Sequence, residues 1–160
     1  MVIDADGLFL LSQTENWWQQ VGTNQLILTP HPGEMARLLG MDDAAQVNED
    51  RSGAAQRAAA EWQQIVVLKG AETVIAASDS VVRVGPEGNA ALATAGTGDV
   101  LAGVIGGLLA QGVQPFDAAC LGVWLHADAG QLVRREVGDA GAVAGDLLSR
   151  LPRAITQLRG

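Results

Sequence analysis

Cysteine is almost missing from this chain. Cys120 is the only one in 160 residues, so no disulfide can close within it. Neither a CxxC pair nor a cluster of histidine and cysteine is present to hold zinc. Both absences suit a reducing compartment. Met1 leads straight into VIDADG, with no basic region before an apolar one, so a cytoplasmic location is expected. Basic residues are scarce too: 10 lysines and arginines stand against 18 acids, a net charge of -8. That balance argues against binding to nucleic acid or to anionic membrane. It does not exclude a small anionic ligand, because backbone amides hold phosphate without net positive charge. Long apolar runs are also lacking. The most apolar stretch, Val100 to Ala110, is interrupted by Gly103, Gly106 and Gly107 and is too short to cross a bilayer. There is no low-complexity tract and no internal repeat.

What is present is a globular composition, 48% apolar, of a length that suits one domain over residues 1–160. VIDADG reads as a buried strand ending in a polar turn, with Asp6 as N-cap of the next helix. QLILTP reads as a second strand stopped by Pro30, and HPGEMARLLG as a short helix ended by Gly40. One helix is expected over NEDRSGAAQRAAAEWQQ. IVVLKG is a continuous apolar strand, as in a parallel sheet. TVIAASDSVVRVG has the pattern of a β-hairpin turning at Ser78-Asp79-Ser80. Helices are expected from Asp99 to Gln111, over a long segment opening near Pro115, and from Ala142, where Pro152 allows a break or a new first turn. Strands alternating with helices imply an α/β fold with a mainly parallel sheet. The segments DADG, TPHPGE, LKGAET and TAGTGD then fall after strands or before helices, and they are expected to meet at one sheet edge, where such folds bind ligands.

ATAGTGDVLAG, Ala93 to Gly103, carries the chemistry. Thr97, Gly98 and Asp99 would sit at a helix N-terminus, where free amides and the helix dipole attract anions. Gly96 and Gly98 let the backbone approach a phosphate, so Gly96, Thr97 and Gly98 form the candidate anion hole. Asp99 is an odd choice for a phosphate cradle alone. It makes sense as a base that accepts a substrate hydroxyl proton while the amides stabilise the transferring phosphoryl group. The plain alternative is a capping or first-turn acid. The loop lacks the Gly-Lys-Ser/Thr of a Walker loop and the spacing of G-x-G-x-x-G. Lys69 reads equally as a phosphate ligand or as a solvated strand-end charge. Asp4 and Asp6 suit turn formation and capping better than metal-linked water. His126 suits a satisfied core or helix-contact histidine, and Trp17 and Trp18 suit packing.

GNAALATAGTGDVLAGVIGGLLAQG (Gly88 to Gly112), preceded by TPHPGEMARLLG and VVLKGAETVIA, closely resembles the ADP-dependent NAD(P)H-hydrate dehydratases. GVWLHADAG and VIDADGL resemble further segments of that family, in the same order. The resemblance implies a ribokinase-like fold and repair of the hydrated nucleotide (S)-NAD(P)H hydrate to NAD(P)H, with ADP or ATP as phosphoryl donor and AMP and phosphate as products; magnesium is expected with any such donor. It implies that His31 contacts the hydrated nicotinamide nucleotide. Lys69, Gly70, Ala71, Glu72 and Thr73 would hold the AMP part, Gly98 the nucleotide phosphate, and Asp99 the hydrated substrate. Partnership or fusion with an NAD(P)H-hydrate epimerase follows from the same likeness. Asp128 and Gln131 depart from the family pattern, away from the phosphate loop.

The family's domain starts upstream of the strand resembling VIDADG. The sheet is therefore expected to lack its first strands and to self-associate through the edge this exposes. The other readings are a ribokinase-like small-molecule kinase, which stops at the phosphorylated product, and a fragment that binds nucleotide without turnover.

Overall fold

The computed structural model describes residues 1–138 and 140–159, Arg159 by its backbone alone. Ile65–Leu68, strand β3 of a five-stranded sheet, is buried at every position. A strand achieves this only when both faces of its sheet are covered. The sheet is ordered β1 (Val2–Ile3), β2 (Ile27–Leu28), β3, β4 (Glu72–Ala76) and β5 (Val82–Glu87). The first three strands run parallel, and β4 and β5 extend them antiparallel as the expected hairpin. The α/β sheet is thus mixed, with its parallel half at β1–β3.

Period-two alternation divides the core. Val66 and Leu68 join Leu28 on one face, under α1 (Asp6–Ser12), α2 (Pro32–Leu39), α3 (Ala44–Glu49) and α4 (Arg51–Trp62). The alanines Ala54, Ala55, Ala58 and Ala59 bring α4 close to the sheet, and Trp62 at its end packs 5.6 Å from Trp17. Ile65 and Val67 join Ile27 and Ile75 on the other face, under α5 (Thr97–Ala110) and α6 (Pro115–Glu136). The last helix, α7 (Ala144–Arg159), lays Leu147, Leu151 and Ala154 against the outer layer.

Three local expectations change. The helix expected over residues 48–64 is two helices, because Asp50 leaves helical geometry (φ -144°, ψ 74°) and caps α4 by accepting from the Gly53 amide at 2.8 Å. Asp6 is the first residue of α1 rather than its cap; the cap position is Ala5, whose side chain has nothing to donate or accept. Pro152 lies inside α7 without ending it. Among the described residues, no helix is long and apolar enough to cross a membrane.

Candidate functional site

Parallel strands deliver their carboxyl ends to one edge, and Ile3, Leu28 and Val66 are neighbours in register. The residues that follow them therefore meet. Asp4, just past β1, accepts from the Ala5 amide at 2.9 Å, so it shapes the turn as expected. Its same oxygen also receives Lys69 Nζ at 2.6 Å. Lys69, just past β3, lies 3.7 Å from Glu34 Oε2 as well. With side chains only 19% and 12% exposed, Lys69 and Asp4 are a half-buried ion pair and not a solvated strand-end charge.

The fourth segment closes on this cluster. A Cβ placed on Gly98 would lie 3.4 Å from Lys69 Nζ and 3.7 Å from Asp4 Oδ2. Gly98 is in the first turn of α5, next to Gly96, whose φ of +87° suits glycine. All four sequence segments thus converge at Lys69. Among the described residues, the amides of Gly96, Gly98 and Asp99 have no protein acceptor. Of the three residues expected to form the anion hole, Thr97 differs: its amide is engaged by the Thr94 carbonyl at 3.3 Å. Its buried hydroxyl is shared between the carbonyls of Leu92 and Thr94 at 2.8 and 2.9 Å. Thr97 therefore shapes the turn, and the open amides are those beside it.

Asp99 sits in that first turn with an exposed carboxylate that makes no capping hydrogen bond. Asp99 is thus not a cap, while its place as a first-turn acid, the other half of the plain alternative, is what the helix shows. Beside it opens a groove of about 430 Å³ lined by Asp99, Val100, Gly103, Val104, Leu148 and Leu151. His31 is exposed and does what its position between two prolines did not announce: its Nδ1 accepts from the amides of Gly33 and Glu34 at 3.0 and 3.3 Å. The Glu34 carboxylate returns the bond by accepting from the His31 amide at 2.7 Å. This is a capping box with histidine in place of serine. An Nδ1 that accepts leaves the proton on Nε2, which lies 3.6 Å from Glu34 Oε1.

The turn from Lys69 to Thr73 forms the other wall. Lys69 donates its amide to the Pro30 carbonyl at 2.8 Å. Ala71 accepts from the Gly88 amide at 2.7 Å, and Thr73 donates its hydroxyl to the Gly70 carbonyl at 3.3 Å. Glu72 begins β4. Behind α5 stands His126, buried as expected, with Nε2 2.9 Å from the Thr97 carbonyl. A carbonyl only accepts, so Nε2 carries the proton. Burial holds its pKa below the usual histidine value, and the bond to Thr97 partly opposes this. Asp128, one of the unusual positions, keeps a buried carboxylate oxygen without a hydrogen-bond partner; nothing in the structure explains it.

Residues 1–153 match the model of a family described as NAD(P)H-hydrate dehydratase. The chain is 49% identical over 157 residues to the bifunctional NAD(P)H-hydrate repair enzyme Nnr of Moorella thermoacetica, covering 98% of this chain and 29% of that protein. It is 49% identical over 151 residues to the ADP-dependent (S)-NAD(P)H-hydrate dehydratase of Neisseria meningitidis serogroup B, covering 92% of this chain and 50% of that one. Among solved structures, the ADP/ATP-dependent NAD(P)H-hydrate dehydratase from Bacillus subtilis, co-crystallised with ATP and Mg2+, superposes with a TM-score of 0.84 at 34% identity. That match covers 98% of this chain and 54% of the other. The chain therefore spans half or less of the curated relatives' length.

Proposed function

The chain belongs to the NAD(P)H-hydrate dehydratase family, and from that premise we propose that it converts (S)-NAD(P)H hydrate to NAD(P)H with ADP as phosphoryl donor, releasing AMP and phosphate. The observation that carries this reading is the approach of Lys69, between the carboxylates of Asp4 and Glu34, to the first turn of α5 with its open amides. A phosphate placed there meets N–H donors and the positive end of the helix dipole on one side. On the other side it meets an ammonium. Bound ADP supplies the phosphoryl group that turns the ring hydroxyl into a leaving group.

The chain's own residues divide the remaining work. The Gly98 and Asp99 amides hold the charge that gathers on the transferring phosphoryl group. The Asp99 carboxylate takes the proton of the substrate hydroxyl. His31 offers its Nε2 proton to the hydrated nucleotide, and the capping box fixes the ring's orientation. The turn Lys69, Gly70, Ala71, Glu72 and Thr73 holds the AMP part. Among the described residues, no group of three or more His, Cys, Asp or Glu is placed to hold a metal ion. Magnesium would therefore arrive with the nucleotide, and no step is assigned to it.

Within the same reading, residues 1–160 act as one cytoplasmic domain that works beside an epimerase. They self-associate through β1, a two-residue edge strand flanked by exposed Met1, Phe9 and Leu10. Light scattering that returns a monodisperse monomer overturns the self-association. The activity test is direct. The chain is mixed with hydrated NADH, ADP and magnesium, and the return of the reduced nicotinamide's near-ultraviolet absorbance is followed. A rise that needs both protein and ADP supports the lyase. ADP consumed with a phosphorylated product accumulating replaces it with a kinase. ADP binding without turnover reduces it to a nucleotide-binding unit.

A further inference from the structure

Arg51 stands where local electrostatics disfavours it. It is the first residue of α4, and a cation at a helix N-terminus faces the positive end of the dipole. It is also half-buried, and burial holds its pKa below the usual arginine value. Among the described residues it makes no ion pair. Instead its guanidinium bonds only to neutral oxygens. Nη2 lies 3.2 Å from the Leu68 carbonyl, 3.0 Å from that of Lys69 and 3.1 Å from that of Glu72. Nη1 donates to Asn48 Oδ1 at 2.9 Å, which braces the side chain from α3. One planar group thus gathers the carbonyls on both sides of the turn after β3.

Peptide geometry gives this a consequence. In a trans peptide, the C=O of one residue and the N–H of the next point to opposite sides. Leu68 shows the effect: its carbonyl faces Arg51, and the Lys69 amide points the other way, to Pro30. The Lys69 carbonyl also faces Arg51, so the Gly70 amide points away from Arg51. Among the described residues that amide has no acceptor. Gly70 itself lies against the guanidinium, for a Cβ there would run into Arg51, with Cζ at 2.9 Å. A side chain at position 70 and the arginine cannot share this space without one shifting.

We infer that Arg51 is a positioning residue: by holding three carbonyls of the turn from behind, it turns the Gly70 amide toward the nucleotide. The inference rests on the reading that this turn binds ADP. It assigns Arg51 no contact with the ligand.

Titration calorimetry with ADP, together with amide relaxation of Gly70 and Ala71 without ligand, tests it on the full chain. Arg51→Met should weaken ADP binding about tenfold, the scale of one lost hydrogen bond to a charged group. It should also raise the fast motion of the two amides. Arg51→Lys should not restore either, because lysine has no second nitrogen to keep the Asn48 brace while the first meets the carbonyls. Arg57→Gln, on the same helix but in an exposed pair with Asp50, should change neither. Gly70→Ala should weaken binding in the natural background and cost much less beside Arg51→Met, since the clash is with the guanidinium. Equal ADP affinity in Arg51→Met, unmoved amides, or rescue by lysine overturns the inference. A natural chain that does not bind ADP refutes the reading of the turn as a nucleotide site. The relaxation data would then still decide whether Arg51 orders it.

Discussion

On one wall of the site, the turn after β3, charge is carried by side chains: Lys69 sits between Asp4 and Glu34. On the other wall, the first turn of α5, charge is carried by the backbone, through amides beside two glycines. Under the proposed function, the difference is how a chain of net charge -8 would offer a phosphate a site. Its one strand-end cation is already balanced by two carboxylates. The surplus attraction must come from dipoles that no charge count records. The first wall should then be sensitive to loss of charge, and the second to small changes of shape.

The largest effect is expected at the second wall, from Asp99, the side chain to which the proposed mechanism gives the proton transfer. Asp99→Asn keeps size and position but cannot accept a proton. Turnover should fall by about 10²–10⁴-fold, while ADP affinity measured by calorimetry stays near that of the natural chain. Turnover within a factor of a few of the natural chain's would remove Asp99 from the mechanism. Lys69→Met tests the first wall. It removes the ammonium and leaves Asp4 and Glu34 facing a phosphate unopposed. ADP affinity should fall by about 10–100-fold, and the midpoint of urea unfolding should fall too, by about 1–3 kcal/mol of stability. A loss of stability with unchanged affinity would show the lysine to be only a structural counter-ion.

The two glycines sharpen the contrast, because they differ in what forbids a side chain. Gly96 has a φ of +87°, so Gly96→Ala should cost about 1–2 kcal/mol of stability through backbone strain. Gly98 is helical, and a Cβ there meets only ordinary contacts at 3.4 and 3.7 Å. Gly98→Ala should leave the unfolding midpoint alone, yet weaken ADP binding about tenfold by standing where the phosphate approaches. The reverse pattern, or two equal losses of stability, would mean that Gly98 is kept for packing.

Much of this was legible in the residues. Continuous apolar runs such as IVVL marked the central strand, because a strand covered on both faces needs no polar side. The polar segments after those runs marked the site, because a parallel sheet sends its strand ends to one edge. What stayed hidden depends on contacts between residues far apart in sequence. Lys69 meets Asp4 across 65 positions. Nothing in KGAET says that its lysine is paired. The same distance hides Arg51, which reads as one cation in an alanine-rich helix until the turn it grips is in view. The break at Asp50 was missed for a local reason: NEDRSGAAQ carries helix-compatible residues on both sides, and the capping bond to Gly53 settles the boundary. His31 concealed a capping box, since histidine is not among the residues expected to cap.

The smallest expected effect separates the walls by pH. His126 supports the second wall through the Thr97 carbonyl, and its folded-state pKa is depressed, first by burial. Between that depressed value and the ordinary value of about 6.5, the unfolded chain binds a proton that the native chain refuses. Stability from this group is therefore complete above about pH 6.5 and is lost as pH falls below it. His126→Gln keeps an N–H donor for the Thr97 carbonyl but cannot be protonated. Urea midpoints from about pH 5 to pH 8 should fall with acid in the natural chain more steeply than in this variant, with the two curves parallel above pH 6.5. Parallel curves throughout would mean that His126 is free to protonate in place, and that the first turn of α5 is held by Thr97 and its loop alone.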